Sequence, residues 1–252
     1  SKIHRLGNAD SWGRISEKVR NREIQTQMKD LLSNFGIRVV LTAHPTQFYP
    51  GSVLAISSDL TDAINKGDIG YARDLLEQLG RTPFYRKQKP TVLHEAQSLI
   101  WYLSNVFYPA AGELLDRINQ SFPNQITKNS QLITLGFWPG GDRDGNPFVS
   151  TATTREVAKK LRFAISNSYY QEIKALKRRL SFAGAQEILN GLGEDLYREM
   201  THPEGEHNVE LEDMLSKLDK IEKILIEKHQ SLFLEKLTSF RRKVHHFGFH
   251  FA

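Results

Sequence analysis

The stretch LITLGFW, residues 132–138, is almost entirely apolar and lies between segments whose apolar residues have helical spacing. Two other short segments, IRVVLTA at 37–43 and VHHFGFHFA at 244–252, are also rich in β-branched or aromatic residues. Short apolar runs of this kind are typical of strands in a parallel sheet that is covered on both faces. We therefore predict three strands separated by long helical stretches.

The segments between these strands carry apolar residues with helical period. We predict helices over residues 11–35, 91–118 and 150–180, and Pro109 is expected to kink the second helix without ending it. Residues 209–243 have the same period and form either one long helix or a broken pair. This order of elements predicts a mostly α chain with a few parallel strands, arranged as a partial α/β barrel of the TIM type and elaborated by long helices.

The organisation of the chain indicates one piece of a larger protein. A barrel strand is normally followed by a loop or a helix, whereas the third predicted strand runs to the final residue. We therefore interpret residues 1–252 as a single fragment of a larger helical and barrel enzyme. Flexible loops are predicted near residues 119–130 and 202–208.

Composition excludes several classes of protein. The chain has no cysteine, which excludes disulfides, zinc ribbons and thiol catalysis. No apolar run approaches the roughly 18 residues of a membrane span, so no membrane association and a cytoplasmic location are expected. The net charge of +5 is small for 252 residues, and both signs are interspersed. A solvated surface or a small anionic substrate is therefore favoured over nucleic acid.

Polar clusters follow the first two predicted strands. His44 comes after the first strand, and Asp142, Arg143, Asp144 and Asn146 come after the second. Ligands of parallel α/β sheets bind beyond the carboxyl ends of the strands, so both clusters are expected on one rim. The alternative for His44 is a histidine that caps a helix or satisfies a turn. On the rim, its imidazole could hold or relay a proton for an anionic intermediate.

The second cluster admits three interpretations. A calcium loop fails, because Pro147 stands where that loop requires glycine and Thr153 where it requires a bidentate carboxylate. A plain glycine-rich turn remains possible. An anion site fits the details better, because backbone amides can approach an anion while Arg143 supplies a planar cation oriented by the aspartates beside it. Trp138 would then exclude water from this site.

The segments LTAHPT at 41–46 and GGDRDGNP at 140–147 closely resemble phosphoenolpyruvate carboxylase. KPTVLHEA at 89–96 is similar to a connecting segment of that family, and VHHFGFH at 244–250 resembles the strand that leads to its next active-site segment. The resemblance extends over roughly residues 37–252. Two motifs of this length in the right order are far more specific than a lone glycine motif.

The resemblance implies a large, mostly helical enzyme built around an eight-stranded barrel and usually assembled as a homotetramer. It implies carboxylation of phosphoenolpyruvate with bicarbonate to oxaloacetate and phosphate, with magnesium or manganese as cofactor. Both substrates are small anions. The phosphoryl group is expected to pass first to bicarbonate, giving carboxyphosphate and an enolate whose negative charge must be stabilised.

The resemblance also implies roles for the rim residues. His44 matches a histidine that stabilises carboxyphosphate or assists its breakdown, and Trp138 matches a tryptophan linked to the bicarbonate site. Asp142, Arg143, Asp144 and Asn146 match the substrate-binding signature beside it.

The sequence departs from the family in two respects. Gln47 stands where the family has glutamate followed by arginines, so the helix after His44 is expected to be ordered without those charges. The family's second catalytic histidine, phosphate-binding arginines and metal carboxylates have no match in this sequence. We therefore expect no metal ligands in this chain and no activity from it alone. His246 and His250 are expected to pack at the barrel wall and not to bind a metal. The alternative function is a non-catalytic helical module that binds an anion or nucleic acid.

Overall fold

The computed structural model describes residues 22–42, 49–84, 91–122, 132–141, 147–202 and 209–251. These residues form, in chain order, α1 (Arg22–Asn34), β1 (Ile37–Leu41), α2 (Gly51–Lys66), α3 (Ile69–Arg81), α4 (Val92–Tyr102), α5 (Tyr108–Ser121), β2 (Ile133–Phe137), α6 (Thr151–Lys177), α7 (Ala185–Thr201), α8 (Leu211–Lys228) and α9 (Leu234–Phe247). The mostly helical character predicted from the sequence is confirmed.

The chain divides into two compact units, which are described separately. The first comprises Ser1–Val40, Leu103–Gly136 and Leu161–Ala252, and the second comprises Leu41–Tyr102 and Phe137–Lys160.

The core of the first unit is built around Tyr169 of α6, whose side chain is fully buried. The rings of Tyr108, Phe240 and Phe249 lie around it at centroid distances of 6.2, 5.8 and 5.8 Å. The Tyr169 hydroxyl donates a 2.5 Å hydrogen bond to the carbonyl oxygen of Gly248, and burial raises its pKa well above the ordinary value. A buried tyrosine needs such a partner, so this bond ties α6 to the turn that follows α9.

The second unit contains a hairpin of α2 and α3. Ile56, Ala63 and Leu75 are buried between the two helices. The turn uses Gly67 at a φ of 71°, followed by Asp68, whose carboxylate accepts a 3.0 Å hydrogen bond from the amide of Tyr71. A left-handed glycine and an aspartate N-cap are the usual signals for ending one helix and starting the next.

β1 and β2 are neighbours in a parallel pair, as predicted for the first two strands. The amide of Ile37 donates a 2.9 Å hydrogen bond to the carbonyl oxygen of Leu132 at the start of the pair. Gly136 lies against β1, and a Cβ at this position would lie 3.1 Å from Val40 Cγ2. The described residues form this two-stranded sheet and do not close a barrel.

The helix predicted over residues 91–118 is present, with a distortion before its proline. α4 passes into α5 through a π turn at Leu103–Phe107, and Pro109 lies in the first turn of α5. Proline has no amide hydrogen to donate, so a wider turn accommodates it without ending the helix. The helix predicted at 150–180 is also confirmed, as α6. The first predicted helix is observed as α1, and residues 11–21 lie outside the described residues.

The segment at 209–243 is the broken pair rather than one long helix. α8 and α9 are separated by residues 229–233, where Gln230, Ser231 and Phe233 all have positive φ. Side chains with a Cβ rarely adopt this conformation. The turn is held by backbone hydrogen bonds from the amides of Ser231 and Leu232 to the carbonyl oxygens of Leu225 and His229, both at 2.9 Å.

The prediction of a third strand at residues 244–252 is wrong. Residues 244–247 continue α9, and Gly248, with a φ of 54°, ends the helix. The buried positions Leu237, Phe240, Val244 and Phe247 follow helical spacing, which outweighs the local preference of valine and phenylalanine for strands. His246 and His250 therefore do not share a strand face. Burial lowers the pKa of His246, and a hydrogen bond with the backbone of Ile133 opposes that shift.

The expectation that the strands are covered on both faces is also wrong for β1. Ile37, Val39 and Val40 are 52%, 37% and 46% exposed, whereas Leu41 is buried. The described helices therefore leave these three apolar side chains about one third to one half exposed to water.

Of the two predicted loops, residues 119–121 form the last turn of α5, while 123–131 and 203–208 lie outside the described residues. No helix among the described residues is both long and apolar enough to span a membrane.

Candidate active-site rim

The described residues include one of the six predicted site residues, Trp138. The other five, His44, Asp142, Arg143, Asp144 and Asn146, lie outside the described residues. The geometry of the candidate site is therefore given by the residues that flank both motifs.

The two motifs begin at adjacent strand ends. The amide of Trp138 donates a 2.9 Å hydrogen bond to the carbonyl oxygen of Leu41, the last residue of β1. Thr42 is exposed directly after this bond, and the side chain of Trp138 is 51% exposed. Because β1 and β2 are parallel, the chain leaves both strands at the same edge of the sheet.

A tight turn follows Trp138 and begins the second motif. The amide of Gly141 donates a 3.0 Å hydrogen bond to the carbonyl oxygen of Trp138. Gly140 has a φ of 81°, and a Cβ at this position would lie 2.6 Å from Val157 Cγ2. The motif therefore requires glycine at 140 for two reasons, the left-handed backbone and the contact with α6.

The far side of the second motif is fixed by the start of α6. Ser150 caps this helix, since its hydroxyl accepts a 3.2 Å hydrogen bond from the amide of Thr153. The hydroxyl of Thr153 donates a 3.2 Å hydrogen bond to the carbonyl oxygen of Phe148. Together with the packing of Gly140 on Val157, these contacts anchor residues 140–141 and 148–150 to the same helix.

These supporting residues were not identified from the sequence as parts of the site. Ser150 could have been found, because a serine directly before a helical run is a common N-cap signal. No sequence pattern identifies Val157, since its contact with Gly140 depends on how α6 packs.

The helix after the first motif forms without the family's usual charges. α2 begins at Gly51, and the carbonyl oxygen of Pro50 accepts hydrogen bonds from the amides of Val53 and Leu54 at 2.9 and 3.2 Å. Tyr49, just before it, contacts the ring of Phe84 edge-on at a centroid distance of 6.1 Å. The first turn of α2 is therefore fixed by proline and by aromatic packing.

The described part of the site consists of the backbone turn at Trp138–Gly141 and the indole of Trp138, and it contains no cluster of metal ligands. Within the described ranges, no group of three or more histidine, aspartate or glutamate side chains is placed to hold a metal ion. These residues can support an anion site at the strand ends, but they do not supply the ligands of a divalent cation.

Comparison with known proteins gives a consistent result. The sequence model of the phosphoenolpyruvate carboxylase family matches residues 4–201, a range that contains both motifs and ends before residues 244–250. The phosphoenolpyruvate carboxylase of Solanum tuberosum is 29% identical over 201 residues, which cover 72% of this chain and 20% of that protein.

Two further relatives give similar values. The phosphoenolpyruvate carboxylase of Shewanella halifaxensis (strain HAW-EB4) is 30% identical over 183 residues, covering 66% of this chain and 21% of the relative. The phosphoenolpyruvate carboxylase of Nicotiana tabacum is 29% identical over 189 residues, which cover 67% of this chain and 19% of that protein. The chain thus spans about a fifth of the length of the curated relatives it matches. The family match over most of the sequence, together with two motifs that start at adjacent strand ends, shows that this chain belongs to the phosphoenolpyruvate carboxylase family.

Proposed function

We propose that this chain forms part of the active-site rim of an enzyme that carboxylates phosphoenolpyruvate with bicarbonate to oxaloacetate and phosphate. The complete enzyme would be a cytoplasmic homotetramer built around a TIM-type barrel. This chain would contribute the first strands of that barrel together with the helices around them.

The hydrogen bond between Trp138 and Leu41 is the observation that carries this proposal. It brings the ends of two strands together although they are almost a hundred residues apart in the chain, and each strand leads directly into one of the two motifs. The apolar side chains exposed on β1 support the barrel, because a parallel strand of this composition is normally covered on both faces.

In the proposed mechanism, bicarbonate attacks the phosphorus atom of phosphoenolpyruvate, and the bond from phosphorus to the enol oxygen breaks. The products of this step are carboxyphosphate and the enolate. His44 stabilises carboxyphosphate or assists its breakdown to carbon dioxide and phosphate, and the enolate carbon then attacks carbon dioxide. Arg143 holds the anions and is oriented by Asp142 and Asp144, and Asn146 belongs to the same substrate-binding signature. Trp138 limits access of water to the bicarbonate site.

The magnesium or manganese ion of this reaction is assigned to ligands outside this chain. The described residues do not fit a metal site, because they bring together no three suitable side chains. The proposal therefore gives the residues of this chain the tasks of binding and orienting the substrates and handling protons.

We further propose that the isolated chain is inactive, because it spans about a fifth of the length of its relatives. The test is an assay for oxaloacetate formed from phosphoenolpyruvate and bicarbonate by the purified chain, with and without magnesium or manganese. Product formed by the chain and abolished by His44→Ala would contradict the inactivity.

A binding experiment tests the rim against the alternative of a nucleic-acid-binding module. Bicarbonate or phosphate is expected to perturb the fluorescence of Trp138, whereas duplex DNA is expected to bind weakly. Tight DNA binding with a steep dependence on salt, and no response of Trp138 to either anion, would favour the alternative.

A further inference from the structure

The first turn of α6 carries a hydroxyl group that bonds outside the helix. Thr153 is the third residue of α6, and its hydroxyl donates a 3.2 Å hydrogen bond to the carbonyl oxygen of Phe148, five residues earlier. In a capping box, a side chain at this position bonds back to the residue that caps the helix. Here the acceptor lies two residues before the cap at Ser150. The hydroxyl of Thr153 therefore holds the chain where it leaves the second motif.

The direction of the hydrogen bonds around Thr153 follows from its single hydroxyl proton. Because that proton is donated to Phe148, the Thr153 oxygen is the acceptor in its 3.0 Å contact with Ser150 Oγ. Ser150 Oγ also accepts a 3.2 Å hydrogen bond from the amide of Thr153. Hydrogen bonds that are linked in this way polarise one another, so the bond to Phe148 is stronger than an isolated one.

The bond to Phe148 acts on a residue whose side chain is not buried. The Phe148 ring is 76% exposed, whereas Thr153 is half-buried. Burial of an aromatic ring is what usually fixes the position of such a residue. For Phe148 this contribution is small, and the hydroxyl of Thr153 fixes its backbone at the carbonyl.

The start of the second motif is attached to the same face of α6. Val157 is buried one turn after Thr153 and contacts Gly140. Residues four apart on a helix share a face and lie about 6 Å apart along its axis. The two ends of the motif are therefore held at neighbouring turns of one helix.

We propose that Thr153 is a positioning residue for the carboxylation reaction and fixes the end of the second motif so that Arg143 meets bicarbonate in the productive position. This role rests on the proposed function, in which Arg143 holds the anions. In the sequence Arg143 lies between the two attached positions, Gly140 and Phe148. Fixing both positions before the substrate arrives lowers the entropic cost of binding, and a displacement of about 1 Å at such a group can cost about a hundredfold in rate. Thr153 acts through the backbone of Phe148 and not by contact with the substrate.

The experiment is steady-state kinetics of the full-length enzyme that carries this segment, with bicarbonate varied at saturating phosphoenolpyruvate. Thr153→Val keeps the shape of the side chain but removes the hydroxyl, and it should raise KM for bicarbonate by about tenfold. Thr153→Ser keeps the hydroxyl and should remain within about twofold of the native KM. Thr151→Val is the matched control, since it makes the same substitution at the exposed first residue of α6, and it should leave KM unchanged.

The comparison of KM with kcat separates positioning from a loss of stability. A variant that only unfolds more readily has a lower apparent kcat, and its remaining folded molecules keep the native KM. An unchanged KM in Thr153→Val would overturn the role of Thr153, as would an equal rise in Thr153→Ser or in Thr151→Val. A native enzyme that forms no oxaloacetate would overturn the proposed function, and the role of Thr153 with it.

Discussion

The backbone amide of Trp138 and the carbonyl oxygen of Leu41 are joined by a 2.9 Å hydrogen bond at the end of a parallel strand pair. This bond fixes the start of the second motif relative to the start of the first. The side chain of Trp138 is half exposed at this position, so it can report on what binds there.

The first prediction concerns this tryptophan as a reporter. In a variant with Trp12→Phe and Trp101→Phe, where Trp138 is the remaining indole, bicarbonate should change the emission intensity in a saturable way. A titration with bicarbonate at constant ionic strength measures the effect, and chloride is the control anion. An identical response to chloride would show that the indole does not lie at a bicarbonate site.

The second prediction concerns His44 in a full-length enzyme that carries this segment. His44→Asn keeps a polar side chain but removes the group that can exchange a proton near neutral pH. We expect kcat for oxaloacetate formation to fall by about a hundredfold or more, with little change in KM for phosphoenolpyruvate. An unchanged kcat would remove His44 from the mechanism.

The third prediction concerns Gly140. Gly140→Ala should destabilise the second unit by about 1–3 kcal/mol, because alanine is strained at this positive φ and its Cβ meets Val157. Gly141→Ala is the matched control, since a Cβ there would lie 3.5 Å from its nearest neighbour, the carbonyl oxygen of Trp138. Urea unfolding followed by Trp138 fluorescence measures both variants. Equal stability of the two would contradict the role of Gly140.

The fourth prediction concerns the buried carboxylate of Glu199, which is 7% exposed. It accepts hydrogen bonds from Arg162 at 3.0 and 3.2 Å, from Ser166 at 3.1 Å and from the amide of Val209 at 2.7 Å. Arg162→Leu leaves this charge buried without its cation and should lower the free energy of unfolding by about 2–3 kcal/mol.

The control for Glu199 is a surface pair of the same type. Arg117 and Glu113 form an ion pair in which both side chains are 65% exposed, so Arg117→Leu should change the stability by no more than about 0.5 kcal/mol. Denaturant unfolding monitored by circular dichroism measures both variants. If Arg162→Leu lowers the free energy of unfolding no more than Arg117→Leu does, the buried Glu199 carboxylate is not stabilised by Arg162.

The fifth prediction concerns pH. Burial lowers the pKa of His246 in the folded chain below the ordinary value of 6.5, so the unfolded chain takes up the proton first as pH falls. The contribution of His246 to stability is therefore present above pH 6.5 and is lost as the pH falls below it. His246→Gln should reduce the loss of Tm between pH 7.5 and pH 5.5. Equal pH dependence in the native chain and His246→Gln would contradict this.

The sequence predicted the helices within 91–118, 150–180 and 209–243, because their apolar residues keep a regular spacing over several turns. It did not individually predict α2, α3 and α7. The two strands at 37–41 and 133–137 were also predicted. Leu41 and Trp138, where the chain continues into the two motifs, lie at the same edge of the sheet. The resemblance to the family rests on those same continuations, LTAHPT at 41–46 and GGDRDGNP at 140–147.

The errors arose where local composition and long-range packing disagree. Valine and phenylalanine at 244–251 favour a strand, but Val244 and Phe247 complete the buried face that Leu237 and Phe240 begin on α9. The exposure of the β1 side chains could not be predicted either. An apolar strand sequence indicates that the strand is normally buried, but it does not indicate which part of the protein packs against it. The contact between Gly140 and Val157 depends on the packing of α6, which no local pattern encodes.

The edge of β1 that is not paired with β2 has a consequence for the behaviour of the chain in solution. Within the described residues β1 pairs with β2 on one side, and its other edge presents free backbone amides and carbonyls. Such an edge is a template for intermolecular strand pairing, and proteins usually protect it with charged residues or proline. The charge on β1 is Arg38, whose Nε donates a 3.3 Å hydrogen bond to the Thr134 hydroxyl of the paired strand. Self-association through this edge, rather than melting of the helices, is therefore expected to limit the concentration at which the isolated chain remains monomeric.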